Sequence, residues 1–423
     1  MEFLATDLQH KIALRHNQDE ISFLELQREV NVAAAKLRST SSKLLELQAE
    51  NTIQFIIQLL AALSNQQPVA VVSKMGIVNH QTSYDPNAAL ILFTSASTGK
   101  AKAVQLSQQN IMANCNAVIK SLNFTAARDQ FLFLPLSYSF GLLGQLLPGL
   151  MAGLTTHLTE NFIDIKTILE ADSVPQMWSG VPSHWHAILR IAQLYPLAAQ
   201  QLTHVISAGA SLTIELRTQL IKTFPNAVIY NNYGLTEASP RVLSLSSNSP
   251  LFVSNHVGYP VGDWELKLSR EQELYIRGSQ VMLGYGAGEQ SPVKNGWLHT
   301  GDIAEITEEG LVSILGRLDH SVKVGGEKVN LDELEQAVNR IPGVGKVALV
   351  AIPDSVYEMR LLFFFEKTTM PHPLSIEQIY EKLEESIVLP KSATFIQILE
   401  TLPLNQNGKL DRASLRKMTE PIR

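Results

Sequence analysis

Ala89-Leu-Ile-Leu-Phe-Thr-Ser-Ala-Ser-Thr-Gly-Lys100 begins as an uninterrupted apolar run and ends in small hydroxyl residues, one glycine and a lysine. The run at 89–93 has the length and composition of a strand buried on both faces. Beyond it, Thr94, Ser95, Ser97 and Thr98 carry hydroxyl donors, Gly99 frees the backbone, and Lys100 and Lys102 bring positive charge. A strand entering such a loop offers amides, hydroxyls and ammonium groups to a phosphate chain. It is not a Walker loop, which requires glycine where Thr94 stands and Ser or Thr after the lysine, where this chain has Ala101. Ser107 then opens a helix.

Working outward, residues 21–37 place apolar side chains at helical spacing behind a serine cap, 51–63 form a second helix, and 69–72 a buried strand. Further strands are expected at 130–134, 204–207, 227–230 and 273–276, separated by helical stretches. This alternation predicts an α/β fold whose large N-terminal domain has mostly parallel sheets covered by helices. After Gly316-Arg-Leu-Asp319 the pattern changes. Asn330-Leu-Asp-Glu333 has the form of a helix cap with a returning carboxylate, and Leu331, Leu334 and Val338 share a face behind it. Strands at 346–352 and 361–366 and a helix near 376–387 complete a small mobile C-terminal α+β domain. The expected division is 1–318 and 319–423, with Asp319 as the hinge.

Composition narrows the function. At ~100 to 200 residues per domain, 423 residues make two or three domains. A net charge of −6 gives no basic footprint and excludes nucleic acid as a partner, so polyphosphate binding rests on a few placed lysines. The single cysteine, Cys115, forms no internal disulfide and is expected to be an inert packed thiol. The start, Met1-Glu-Phe-Leu-Ala-Thr-Asp7, has no basic region followed by an apolar stretch, so neither export nor a membrane anchor is expected and the location is cytoplasmic. Residues 131–154 are uncharged and reach membrane-spanning length, but Pro135, Ser137, Tyr138, Ser139, Gly141, Gly144, Gln145 and Pro148 divide them into a strand, a turn and a buried helix. We read this segment as the wall of an apolar pocket.

Three later stretches complete a constellation: Tyr233-Gly-Leu-Thr-Glu237, Gly296-Trp-Leu-His-Thr-Gly-Asp302 and Pro403-Leu-Asn-Gln-Asn-Gly-Lys-Leu-Asp411. In this order, and with the loop at 94–102, they resemble the adenylate-forming (AMP-binding) superfamily, of acyl- and aryl-CoA ligase type. Its members couple a carboxylic acid to a thiol through an acyl-AMP. The loop departs from the family's phosphate loop at Ala96, Ala101 and Ala103, where the pattern has glycine, proline and glycine. The resemblance implies that Tyr233, with Gly234 beside it, stacks on adenine and that Asn231 bonds the exocyclic amine. Thr236 meets the α-phosphate and Glu237 holds Mg²⁺. Ser207-Ala-Gly-Ala-Ser211, with Gly209 and Ala210 at its centre, presents flat backbone to the other adenine face. Asp302 accepts from both ribose hydroxyls, a task suited to a carboxylate's two acceptor oxygens. Arg317 adds a rigid charged fork. Lys409 is the catalytic lysine, stabilising charge that grows on the phosphoryl oxygens as the acid attacks.

Two half-reactions are implied. ATP and Mg²⁺ first activate the acid; the small domain then turns about Asp319 and brings Gly325 and Gly326 to the site, where the thiol of CoA displaces AMP. Paired glycines let a pantetheine arm pass close to the backbone. Tyr138, Ser139 and Ser207 line the acyl side. Ser139 stands where amino-acid-activating relatives carry an aspartate, which disfavours an amino acid and leaves a fatty or aromatic acid. Only residues 74–88 join the strand at 69–72 to the next, so the N-terminal subdomain, 1–88, is shorter than in the family. An edge thus left open invites a partner, such as a second copy in a homodimer. Two alternatives stand beside the CoA ligase: a stand-alone ligase serving the phosphopantetheine of an acyl carrier protein, and an ATP-binding pseudoenzyme or regulatory subunit.

Overall fold

The predicted caps set the helix starts. Ser22 Oγ accepts from the Glu25 backbone N–H at 3.2 Å while Glu25 Oε2 accepts from the Ser22 N–H at 2.9 Å, and helix Phe23–Arg38 follows. Ser107 and Asn110 make the same reciprocal pair ahead of helix Gln108–Ser121, satisfying donors the first turn leaves orphaned. Helix Ile53–Ser64 begins behind Thr52. In this computed structural model the structure describes residues 3–5, 7–38, 44–73, 84–94, 102–286, 289–324, 327–354, 358–367, 374–386, 394–405 and 408–419.

The chain separates into two units. One is Met1–Lys267 with Tyr275–His299 and Ile306–Ser313; the other is Leu268–Leu274 with Thr300–Glu305 and Ile314–Arg423.

The first unit contains a nine-stranded sheet. Six of its strands, Val228–Tyr233, His204–Ser207, Met177–Gly180, Asp129–Leu132, Thr155–Leu158 and Ile12–His16, lie side by side in parallel. Antiparallel strands close both ends. Val118 and Leu122 cover Met177, Ile206 and Tyr230 on one face. Helices Pro182–Ala192 and Ile214–Thr223 pack on strands Met177–Gly180 and Val228–Tyr233, with Trp185 fully buried. A parallel sheet covered in this way buries both of its faces, which explains the near-continuous apolar strand sequences.

The second sheet has the order Gly284–Tyr285, Lys102–Ser107, Ala88–Thr94, Val69–Val72, Leu45–Gln48. This sheet contains a strand, Lys102–Ser107, that the apolar pattern did not announce. Strand Ala88–Thr94 does not lead through its loop directly to the helix; it folds back antiparallel on Lys102–Ser107, with Thr94 opposite Lys102. Residues 95–101 lie outside the described residues. A further sheet joins Glu265–Leu268, Glu273–Arg277, Trp297–Ile306 and Val293–Lys294, with Val312–Arg317 beside Trp297–Ile306.

The uncharged segment at 131–154 is a strand end, a turn and a helix, Ser139–Gly141 running through a π-helical turn, Leu142–Leu146, into Leu147–Met151. Residues 141–150 are all buried in protein. Among the described residues no helix is long and apolar enough to cross a membrane.

In the second unit, Val347–Asp354 pairs antiparallel with Glu358–Glu366, and Thr394–Leu399 runs parallel to the latter. Side-chain alternation divides the central strands. Leu349, Phe363 and Phe365 face Leu334, Val338, Ile379 and Leu383 of two helices, whereas Val350 and Phe364 face Leu415 of helix Arg412–Lys417. Each such large apolar side chain contributes about 1.5–3 kcal/mol when fully buried. Asn330 caps helix Leu331–Asn339 as expected, its Oδ1 accepting from the Asp332 N–H at 2.9 Å. The expected returning carboxylate, Glu333, has a side chain outside the described residues.

Candidate active site

Strand Val228–Tyr233 runs three residues beyond the expected end at 230 and delivers the second motif at its carboxyl terminus, where α/β sheets place ligands. Asn231 lies opposite Ser207 on the neighbouring parallel strand, and both are buried. Asn231 Nδ2 and Ser207 Oγ have no partner among the described residues. Beyond Ser207 the chain turns through Gly209, at φ +87°, and Gly209 and Ala210 are exposed. Asn231, Ser207 and this turn thus share one end of the sheet.

Gly234 makes the loop possible. A Cβ there would lie 1.6 Å from the Pro240 carbonyl oxygen, so the chain doubles back on itself at this residue. Tyr233 O also accepts from the Val242 N–H at 3.1 Å. Inside the loop, the hydroxyls of Thr236 and Ser139 are 2.8 Å apart. That bond joins the nucleotide motif to the segment expected to wall the acyl pocket, across 97 residues of sequence. Tyr138, half-buried, precedes Ser139.

Glu237 is held by two contacts. Its backbone carbonyl accepts from the Met282 N–H at 2.9 Å, and its Oε1 accepts from the Tyr285 hydroxyl at 2.7 Å. The Tyr285 ring in turn lies under the Lys102 ammonium, 4.9 Å from its centroid. Tyr285 reaches this position because Gly284–Tyr285 pairs with Lys102–Ser107 and Gln105 Nε2 bonds its carbonyl at 2.8 Å. Sequence reasoning missed Tyr285. Its only signal was an aromatic residue between two glycines, Gly284 and Gly286, in a segment with no expected strand.

Phe133, Phe162 and His184 meet in edge-to-face and tilted contacts at centroid distances of 5.1–5.6 Å. Burial pulls the His184 pKa down to about 4, so its ring is neutral and acts as an aromatic surface. Cys115 is buried as expected, and burial pushes its thiol pKa up.

The other unit holds Thr300–Asp302, the end of the third motif, and the fourth motif. Thr300 Oγ1 donates to Leu274 O at 2.7 Å and accepts from the Asp302 N–H at 3.1 Å, which fixes the aspartate. Arg317 Nη1 bonds Asp302 Oδ1 at 3.1 Å and Thr300 O at 2.9 Å. Gly301, at φ +71°, leaves room for that guanidinium, since a Cβ would come within 2.9 Å of its Nη2. The expectation of Arg317 as a fork toward the nucleotide is thus joined by a second task, holding Asp302. Asp319 lies in the short turn Leu318–His320, and its side chain, like Gly325 and Gly326, is outside the described residues.

Lys409 sits on a tight turn: Asn405 N–H donates to Lys409 O at 2.7 Å, Lys409 N–H to Asn405 Oδ1 at 3.1 Å, and Gly408 takes φ +69°. Its side chain keeps an accessible surface, yet desolvation lowers its pKa. The turn leads into helix Arg412–Lys417, capped by Asp411. Arg412 anchors that helix, bonding Asp332 Oδ1 and Glu335 Oε2 at 2.9 Å each and Leu349 O at 3.0 Å. Asp332 also accepts from the Arg317 N–H and His320 Nδ1, both at 2.9 Å. One carboxylate thus ties the turn at 317–320 to the helix behind Lys409.

The chain is 28% identical over 362 residues to 2-succinylbenzoate–CoA ligase of Staphylococcus aureus strain MSSA476, spanning 83% of this chain and 71% of that protein. The fold is similar to that of ATP-bound MatB from Rhodopseudomonas palustris, with a TM-score of 0.84 at 19% identity, covering 99% of this chain and 97% of that one. It is also similar to that of o-succinylbenzoate CoA synthetase from Bacillus subtilis in complex with the intermediate OSB-AMP, with a TM-score of 0.79 at 19% identity, covering 96% and 95%. The family described as AMP-binding enzyme matches residues 66–286, more than half of the 423, and the chain belongs to that family.

Proposed function

We propose that this protein uses ATP to convert a carboxylic acid into an acyl-AMP and then transfers the acyl group to the thiol of CoA. The observation that carries the reading is the Ser139–Thr236 hydrogen bond, which seats the nucleotide loop against the pocket segment. Relatives named as CoA ligases support the choice of acceptor.

In this reading Thr236 orients the α-phosphate beside the acid's carboxylate, and proximity removes most of the entropic cost of bringing two anions together. The carboxylate attacks phosphorus, the bond to the bridging oxygen breaks, and pyrophosphate leaves. Lys409 offsets charge that grows on the phosphoryl oxygens, an interaction stronger in the transition state than in the ground state. Tyr233, Asn231 and the turn at Gly209–Ala210 hold adenine, and Asp302, fixed by Arg317, takes the ribose hydroxyls. Lys102 and the hydroxyls and lysine of the loop from Thr94 to Lys100 draw the outer phosphates.

Glu237 suits Mg²⁺: Tyr285 bonds one of its two carboxylate oxygens, and this cation takes one or two carboxylates with phosphate oxygens and water filling its shell. No cluster of three or more acidic, His or Cys side chains competes for it among the described residues. When bound, the ion neutralises phosphate charge. In the second step the thiol adds to the acyl carbonyl and AMP departs, with Gly325 and Gly326 beside the pantetheine arm and Asp319 as the hinge.

Acid-dependent exchange of labelled pyrophosphate into ATP, across aliphatic and aromatic acids, tests the first step. Thioester formation with CoA against a phosphopantetheinylated carrier protein tests the second. Absence of exchange with every acid would replace this reading with a non-catalytic nucleotide-binding role, and a preference for the carrier would replace CoA.

A further inference from the structure

Tyr285 joins two parts of the nucleotide site that carry opposite charge, and the segment around it is bonded to both. Toward the loop after Tyr233, Gln280 O accepts from Ser239 Oγ at 2.7 Å and the Met282 N–H donates to Glu237 O at 2.9 Å. Toward strand Lys102–Ser107, the Leu283 N–H donates to Gln105 O and the Gly286 N–H to Ala103 O, each at 2.9 Å. Gln105 Nε2 donates to Tyr285 O at 2.8 Å. Bonds on both sides of Tyr285 thus fix its backbone, and its side chain is half-buried.

The two ends of that side chain meet different partners. Its hydroxyl donates to Glu237 Oε1 at 2.7 Å, and its ring carries the Lys102 ammonium 4.9 Å from the centroid. A carboxylate only accepts, so the hydroxyl takes up one oxygen of Glu237 and leaves the second for a cation. Lys102 and Glu237 serve a polyphosphate in opposite ways, the ammonium drawing phosphate oxygens and the carboxylate drawing the cation that neutralises them. Opposite charges on two flexible side chains attract each other when nothing separates them, and a charge so paired is less available to a ligand. An aromatic ring with a polar tip supplies both contacts at once: a negative face for the ammonium and a donor for the carboxylate.

We infer that Tyr285 is a positioning residue of the nucleotide site: its hydroxyl orients Glu237 for the divalent cation, and its ring keeps Lys102 and Glu237 from neutralising each other before ATP arrives. The inference rests on the reading above, in which Lys102 meets phosphate and Glu237 the cation.

Two variants separate the two contacts. Tyr285→Phe keeps the ring and loses the donor; Tyr285→Leu loses both. ATP binding is measured by calorimetry in EDTA, and Mn²⁺ binding by electron paramagnetic resonance in the presence of α,β-methylene-ATP, whose α–β bridge does not cleave. Tyr285→Phe should weaken Mn²⁺ binding by about 10- to 100-fold, the usual cost of removing a group that bonds a metal's ligand, and leave metal-free ATP binding unchanged. Tyr285→Leu should weaken both, metal-free ATP by about tenfold, within the range of coupling between neighbouring groups. In a Glu237→Gln background, where the competing anion is gone, Tyr285→Leu should no longer weaken metal-free ATP binding, a recovery that mere loss of packing would not give. Wild-type Mn²⁺ affinity in Tyr285→Phe would overturn the orienting role. Unaltered metal-free ATP affinity in Tyr285→Leu, or an equal loss in the Glu237→Gln background, would overturn the separating role. Failure of the unaltered protein itself to bind ATP or Mn²⁺ with the analogue would instead remove the nucleotide reading, and this inference with it.

Discussion

Lys409 concentrates the proposed chemistry in one side chain. Replacing it with alanine should lower pyrophosphate exchange by about a hundred- to a thousandfold, the usual cost of losing a transition-state donor. Thiolysis of acyl-AMP supplied ready-made should persist, because that step makes no use of the ammonium. Equal loss of both rates in single-turnover assays would remove the division of labour between the two steps. The lowered pKa of Lys409 adds a pH signature. Adenylation needs the charged form, so the rate should decline on the alkaline side at a pH below the ordinary lysine value of about 10.4. A profile flat through that range would contradict the role.

At the scale of the element, the loop from Tyr233 to Arg241 and the carboxylate node at Asp332 make separate claims. Gly234→Ala places a methyl group against the Pro240 carbonyl, and backbone cannot yield as a flexible side chain can. The expected result is about 1–3 kcal/mol of lost stability, read from denaturant unfolding, together with weaker AMP binding. Asp332 is opposed by burial but stabilised in its charged form by hydrogen bonding and charge from His320, the Arg317 N–H and Arg412, so its pKa falls below the usual range. A carboxylate whose native pKa lies below its unfolded value of about 3.9 contributes fully above that pH and loses the contribution as pH falls through the native value. Asp332→Asn should therefore destabilise the protein by about 1–3 kcal/mol at neutral pH and by progressively less in acid below pH about 4. A stability difference that does not shrink on acidification would show that Asp332 acts by shape alone.

At the scale of the whole molecule, the outer edge of the five-stranded sheet has a measurable consequence. Leu45–Gln48 forms that edge, with Val69–Val72 on one side. Open strand edges invite pairing, and natural proteins cover or charge them. The proposal of a homodimer predicts a scattering mass near twice the 46.7 kDa chain. Glu46→Pro, which removes an edge donor, should shift that mass toward one chain, and a monomer in the unaltered protein would exclude the dimer.

Much of this protein was legible from sequence because the signals are local. Serine caps, apolar strands of four to seven residues and the motif at Tyr233–Glu237 all express physics between near neighbours, and Ser22, Ser107 and the parallel strands stand where the pattern put them. Tertiary structure alone decided which distant groups meet. Lys102–Ser107 became a strand because Ala88–Thr94 and Gly284–Tyr285 flank it, not because its own period announced one. Tyr285 reaches Glu237 over 48 residues, and Arg241 looks in sequence like any surface arginine until Phe140, Asn114 and Trp264 enclose it. Burial and desolvation depend on the whole surrounding shell, so a buried charge such as Arg241 could be recognised only after folding had removed it from water.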